Sequence, residues 1–279
     1  MTPISKAGNP MRPVLILIFL LFSAIPASFA TEKPLDYTLS YGLYAGGFRA
    51  LDVTMRFEET IKSYGLTMKA KPYGVIGGLL PWAGVYTTRG LRNGLTLTPE
   101  NHKKQSQWRE DKDQDSFVYS KGVLVSLKRI NGEKKPAVEE NVALDPALHK
   151  GAVDLLTGAL YPLMHVNAGK SCDGSVTVFD GKRRYDLKFT KKGKETLVAS
   201  KYNIFSGEAL VCQIEMIPLA GFKGKKRGYY KIQEEGRAQG QLPKIWLGKL
   251  WADGPYVPIK ILLKSEYGAM LVHVEKVTR

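Results

Sequence analysis

The stretch Tyr37-Thr38-Leu39-Ser40-Tyr41-Gly42-Leu43 alternates large apolar side chains with small or polar ones. Side chains at i and i+2 leave a strand on the same side, so Tyr37, Leu39, Tyr41 and Leu43 share a face that must be buried. Beyond the Ala45-Gly46-Gly47 turn the period returns, with Leu51, Val53, Met55 and Phe57 set against Asp52, Thr54 and Arg56. Further sets are Tyr64, Leu66, Met68 and Ala70; Val123, Val125 and Leu127; and Tyr185, Leu187 and Phe189. The chain closes with Val257, Ile259, Ile261 and Leu263, then Met270, Val272 and Val274. Turn chemistry separates the runs at Arg92-Asn93-Gly94, Ile130-Asn131-Gly132, Phe179-Asp180-Gly181 and Lys192-Gly193. About a dozen strands with short connections imply antiparallel neighbours.

Two segments break this pattern. Asp145-Pro146 has the form of an N-cap followed by proline at the first helical position. Val153, Leu156 and Leu160 then fall at helical spacing, and Tyr161-Pro162 is expected to end that helix. Pro72 to Thr88, with Ile76, Leu79, Leu80, Pro81 and Trp82, reads as a short helix or an apolar loop. A one-faced antiparallel sheet has to cover its apolar side. The expected fold is therefore mainly β, a curved antiparallel sheet (half-barrel or β-spiral) wrapped around one or two short helices.

The chain has 279 residues, 44% of them hydrophobic and 24% charged, which excludes disorder throughout. Lys and Arg number 41 against 26 Asp and Glu, a formal charge of +15. Nine consecutive apolar residues, Val14 to Phe22, follow the cations Lys6 and Arg12 and precede the small residues Ser28 and Ala30. That is the order of a cleavable signal peptide. The run is shorter than the about 20 residues needed to cross hydrocarbon. The expected organisation is a signal peptide over residues 1–30, a single β domain over 31–279, and a periplasmic location. An oxidising compartment and an even count favour a disulfide between Cys172 and Cys212 over two buried free thiols.

Several motifs carry a family resemblance. The opening Asp36-Tyr37-Thr38-Leu39-Ser40-Tyr41-Gly42-Leu43-Tyr44-Ala45-Gly46-Gly47 is followed by Gly151-Ala152-Val153-Asp154-Leu155-Leu156 and Ala159-Leu160-Tyr161. Cys172-Asp173-Gly174 and the run Val178 to Leu187 come next, then Trp251-Ala252-Asp253 and Val257-Pro258-Ile259-Lys260. In this order they resemble exported bacterial proteins catalogued as domain of unknown function 3108. The resemblance implies a cell-envelope protein of Gram-negative bacteria, with a curved sheet similar to that of periplasmic lipoprotein carriers. It implies no reaction.

No G-x-S-x-G, P-loop, G-x-G-x-x-G or H-E-x-x-H pattern occurs. No catalytic residue, metal site or cofactor is expected. His102, His149, His165 and His273 lie far apart in sequence; His165 is expected after the helix and His273 on the outward face of the last strand. Lys182, Arg183 and Arg184 form a candidate anion-binding set, since guanidinium forks grip phosphate or carboxylate bidentately. The competing reading is a hairpin with solvated cations, in which Asp173 and Asp186 pair with Arg183 or Arg184. Further basic runs are Lys188, Lys191, Lys192 and Lys194, and Lys223, Lys225, Lys226, Arg227 and Lys231. Trp82, Trp246 and Trp251 are a candidate apolar ligand face, with Trp246 and Trp251 expected on opposite sides of one strand.

The leading functional expectation is a non-enzymatic periplasmic envelope protein that binds lipid or an amphipathic ligand on a concave apolar face with a basic rim. Its partners would be lipid or an envelope polyanion, with peripheral membrane-surface contact and no nucleic acid. Two alternatives stand beside it. One is an envelope-polymer hydrolase, which needs groups such as Asp173, Asp186, His149 or His165 to converge. The other is a protein-interaction scaffold without a small ligand.

Overall fold

The first and last strands of the domain, β1 (Leu35–Ala45) and β14 (Gly268–Thr278), pair antiparallel from Thr38↔Thr278 to Ala45↔Met270. The computed structural model describes residues 34–75, 81–134, 136–223, 228–266 and 268–279. The expected leader, the apolar residues Ile76, Leu79 and Leu80, and the cations Lys225, Lys226 and Arg227 lie outside the described residues. From β1 the chain meanders through β2 (Phe48–Glu59), β3 (Ser63–Pro72), β4 (Trp82–Asn93), β5 (Thr96–Trp108), β6 (Asp111–Ser120), β7 (Val123–Asn131) and β8 (Val138–Asn141). It returns through β9 (Gly174–Phe179), β10 (Arg184–Leu197), β11 (Gly207–Ala220), β12 (Lys244–Lys249) and β13 (Tyr256–Ser265) to β14. Among the described residues three helices interrupt it: α1 (Pro146–His149), α2 (Leu155–Asn167) and α3 (Gly228–Ala238).

All fourteen described strands form one antiparallel sheet in the order β8-β7-β6-β5-β4-β3-β2-β1-β14-β13-β12-β11-β10-β9. Every strand lies beside its sequence neighbours except at the β8–β9 step, and the ends of the meander join through β1 and β14. The rolled sheet is therefore open in mid-chain, between β8 and β9. The chain that connects those strands spans the seam. Val142 N–H donates to Leu127 O on β7, and at the far side Val153 bridges in parallel to Val178 on β9. Arg184 adds a strap, its Nη1 donating to the carbonyls of Leu148 and Lys150 on either side of the α1 end.

Helix α2 fills the inside of the roll and touches β4, β9, β10 and β13. Its Leu156, Leu160, Leu163, Met164 and Val166 pack with Tyr37, Leu39, Phe57, Leu66, Val257 and Ile259 in the main core. Cys172, just beyond α2, forms a disulfide with Cys212 on β11, and both are fully buried. β12 pairs with β11 only over Leu210–Gln213. Above that stretch, the Gln233 amide of α3 completes the edge: its Oε1 accepts from Met216 N–H and its Nε2 donates to Met216 O.

Five local readings of the sequence are corrected. Asp145 does cap a helix, but α1 is one turn long, and the chain breaks at Gly151 (φ 68°) before Asp154 caps α2. Pro162 lies inside α2 instead of ending it. It forfeits one backbone hydrogen bond, and the burial of both helix faces outweighs that loss. Trp82 to Thr88 belong to β4; Gly84 obscured the period, because a Cβ there would strike the rings of Trp82 and Tyr86 on the same face. Val123 and Val125 face solvent, while Leu124 and Leu127 are buried. The register skips Val125, since Tyr119 pairs with Leu124 and Val118 with Ser126, and such a bulge reverses which residues face inward. Lys192-Gly193 is likewise a bulge within β10, not a turn.

Candidate functional site

Beneath the seam a polar cluster lies inside the roll. Asp154 is 0% exposed. Because Val153 is held in the bridge to β9, the next residue is fixed as the N-cap of α2, and its carboxylate points at the helix's free N–H groups. Thr157 N–H donates to Asp154 Oδ1 (3.0 Å) and Thr157 Oγ1 to Asp154 Oδ2 (2.6 Å). Thr88 Oγ1 on β4 donates to Asp154 Oδ2 (3.1 Å), and His102 Nδ1 on β5 lies 3.1 Å from Asp154 Oδ1. With its proton committed to Asp154, Thr157 Oγ1 accepts from the Tyr64 hydroxyl (2.8 Å). Burial pushes the Asp154 carboxyl upward, but His102 and the Thr157 donors outweigh it and hold the group below its ordinary value. Tyr64 is raised by burial and by the Asp154 charge.

Two clefts open at one end of the roll, on either side of the β4–β5 turn, and the first adjoins this cluster. The first has a volume of about 330 Å³ and is lined by Leu95, Leu97, Val153, Tyr161, His165 and Val176, with Thr157 reaching it from the polar cluster. The second, of about 490 Å³, is the mouth of the roll. Leu35, Ile61, Met164 and Pro255 supply its apolar wall, and Glu59, Arg92, Lys249 and Asp253 its charges. Gly94 lines one cleft and Leu95 the other, and so do Met164 and His165 of α2. Arg92 Nη1 pairs with Glu59 at 3.1 Å. Burial raises the Glu59 carboxyl, and Arg92 pulls it back.

The residues singled out by sequence are dispersed. Arg183 is held by Asp180, with Nε and Nη2 on Oδ2 at 2.8 and 2.6 Å, inside the hairpin of Asp180-Gly181. Arg184 serves the seam strap. Lys182 is exposed on the hairpin tip beside a small polar hollow lined also by Lys104 and Arg129. Asp173 accepts from Ser171 Oγ and Lys191 N–H, and Asp186 from Thr177 Oγ1, so neither pairs with Arg183 or Arg184.

Trp246 and Trp251 both pack into the main core instead of facing opposite ways, because β12 ends at Lys249 and Trp251 lies in the following turn. Trp246 donates to Glu195, and Lys260 lies 4.5 Å over its ring. Trp82 sits opposite Trp108 on β5, away from both. His165 lies in the last turn of α2, its ring 4.1 Å from that of Tyr161. His273 is half-buried against Asn203 and Tyr44.

Sequence reading missed the cluster of Tyr64, Thr88, His102, Asp154 and Thr157. A signal existed in Asp154-Leu155-Leu156-Thr157, an Asp three residues ahead of a Thr at the start of an apolar helix.

The comparisons with known proteins place the chain in a family. The model of the family described as "Protein of unknown function (DUF3108)" matches residues 36–274. The chain belongs to the DUF3108 family. No curated protein shows significant similarity to this DUF3108 chain. Among solved structures it aligns with a β-barrel-like protein of domain of unknown function DUF1849 from Brucella abortus, at 11% identity and TM-score 0.45, over 88% of this chain and 97% of that one. It also aligns with a DUF1329 family protein from Desulfovibrio piger, at 9% identity and TM-score 0.20, over 88% and 86% of the two chains. No helix among the described residues of the DUF3108 chain is long and apolar enough to cross a membrane.

Proposed function

We propose that this DUF3108 protein is a non-enzymatic periplasmic envelope protein that holds a lipid or amphipathic ligand against α2. The apolar segment enters the cleft of Leu95, Leu97, Val153, Tyr161 and Val176, and the charged end meets Arg92 and Lys249 at the adjoining mouth. The observation that carries the reading is that apolar cleft beside α2. Its volume of about 330 Å³ lies within the range of small-ligand sites. The buried disulfide fits an oxidising compartment. The non-enzymatic reading is supported by Asp154, whose two oxygens are occupied by Thr157, Thr88 and His102 beneath the cleft floor.

A fluorescent fatty-acid probe tests the placement. Val176→Trp fills the cleft from β9 and should abolish probe binding while leaving the thermal midpoint within a few degrees. Probe binding that survives both Val176→Trp and Leu97→Trp would move the ligand elsewhere.

A further inference from the structure

Adjacent strands run in opposite directions, so the turns of the roll fall into two sets. The clefts open among the β2–β3, β4–β5 and β12–β13 connections. The β1–β2, β3–β4 and β5–β6 connections lie at the opposite end, and it is there that large exposed aromatics gather. Phe48 at the β1–β2 tip is 78% exposed, Tyr73 and Val75 after β3 are 44% and 87% exposed, and Trp108 at the end of β5 is 47% exposed. These residues lie on connected backbone. Tyr73 N–H donates to Ala50 O on β2, and the Arg49 guanidinium lies 4.4 Å over the Tyr73 ring. Trp108 pairs with Trp82 across β4 and β5, and Arg109 N–H donates to Pro81 O. At the cleft end, the exposed apolar residues on the β2–β3 and β4–β5 side are the aliphatic Ile61 and Leu91.

We propose that the tips bearing Phe48, Tyr73, Val75 and Trp108 dock this end of the protein on an anionic lipid bilayer. Exposed Tyr and Trp favour the boundary between hydrocarbon and water, where the ring is sheltered and its polar edge stays wet, and Phe adds apolar area that enters beside them. The tips themselves are nearly neutral, since Glu110 and Asp111 offset Arg109 and Lys112. The attraction to anionic head groups comes instead from the whole chain's formal +15, of which the expected leader accounts for only two charges. Electrostatics draws the protein in, and the aromatic tips decide which end enters. Docked in this way, the two clefts face away from the bilayer. The inference relies on an envelope location and not on what the clefts hold.

Sedimentation with vesicles of phosphatidylglycerol and phosphatidylethanolamine, some with brominated acyl chains, tests it. The protein should co-sediment, and bromine should quench emission from the rim tryptophans Trp82 and Trp108, since Trp246 and Trp251 are packed in the core. Phe48→Ser with Trp108→Ser should weaken binding at least tenfold at an unchanged thermal midpoint, without altering binding of the fatty-acid probe. Failure of the wild-type protein to sediment, equal binding to vesicles of phosphatidylcholine alone, or undiminished binding by the double variant would each overturn the proposal. The last result would assign the attraction to diffuse charge only.

Discussion

His102 Nδ1 and Asp154 Oδ1 lie 3.1 Å apart with both side chains sealed from solvent, so the cap of α2 is tied across the interior to β5. One residue thereby sets the start of the helix and its position against the sheet. Asp154→Ala removes the cap and leaves Thr88 and Thr157 without their common acceptor and His102 without the carboxylate beside it. The expected loss is about 3–5 kcal/mol, the usual cost of breaking a buried pair. Asp154→Asn keeps a side-chain oxygen for Thr157 N–H and should lose less, about 2 kcal/mol. Urea unfolding of the two variants measures both values.

Stability should fall with acid in two separate windows. The His273 imidazole is held below its ordinary 6.5 by burial and by Lys260, with Glu275 opposing. The unfolded state therefore takes up its proton first, and this contribution is lost as pH falls from about 6.5 toward the folded value. The Asp154 carboxyl is also depressed, burial notwithstanding, from an ordinary 3.8. Its contribution is complete above about pH 4 and disappears as pH drops through the lowered folded value. Denaturant titrations across pH should show the upper slope flattened in His273→Asn and the lower slope flattened in Asp154→Asn. Identical slopes in wild type and variants would contradict these assignments.

Gln233 replaces a strand. Its amide meets both backbone groups of Met216 where β12 no longer covers β11. Gln233→Leu preserves bulk and leaves two buried backbone groups unpaired, which should cost about 2–4 kcal/mol in equilibrium unfolding. Gln233→Glu sets a buried carboxylate against the Met216 carbonyl and should cost at least as much as the leucine variant.

The Cys172–Cys212 bridge closes a sequence separation of 40 residues. Replacing both cysteines with alanine should lower stability by roughly 4 kcal/mol on the loop-entropy account. Both sulfurs are buried, so reductant alone should act slowly on the folded protein and quickly in urea. Free-thiol titration over time, with and without urea, measures this.

The curved antiparallel sheet was legible because period-two alternation survives wherever strands are regular, as from Tyr37 to Tyr41. It failed at Val125, where a bulge changes phase without any compositional mark, and at Gly193, where the glycine of a bulge reads as a turn. It failed at Gly84, where the absence of a side chain is itself the packing requirement. The disulfide followed from residue count and the expected compartment. The buried cluster was illegible as a unit, because Tyr64, Thr88, His102 and Asp154 come from three strands and a helix start. Only the register of β3, β4 and β5 brings them together. The arginines at positions 183 and 184 looked available in sequence, and they are consumed by Asp180 and by the carbonyls beside α1.

Whether the cleft beside α2 holds an apolar ligand is decided by organic extraction and mass spectrometry of wild-type and Val176→Trp protein, each exported with its leader and purified from the periplasm without detergent. Lipid should be recovered at a constant molar ratio with the wild type and lost from the variant. Wild-type protein that repeatedly yields no lipid, or a variant that carries as much as the wild type, would contradict it.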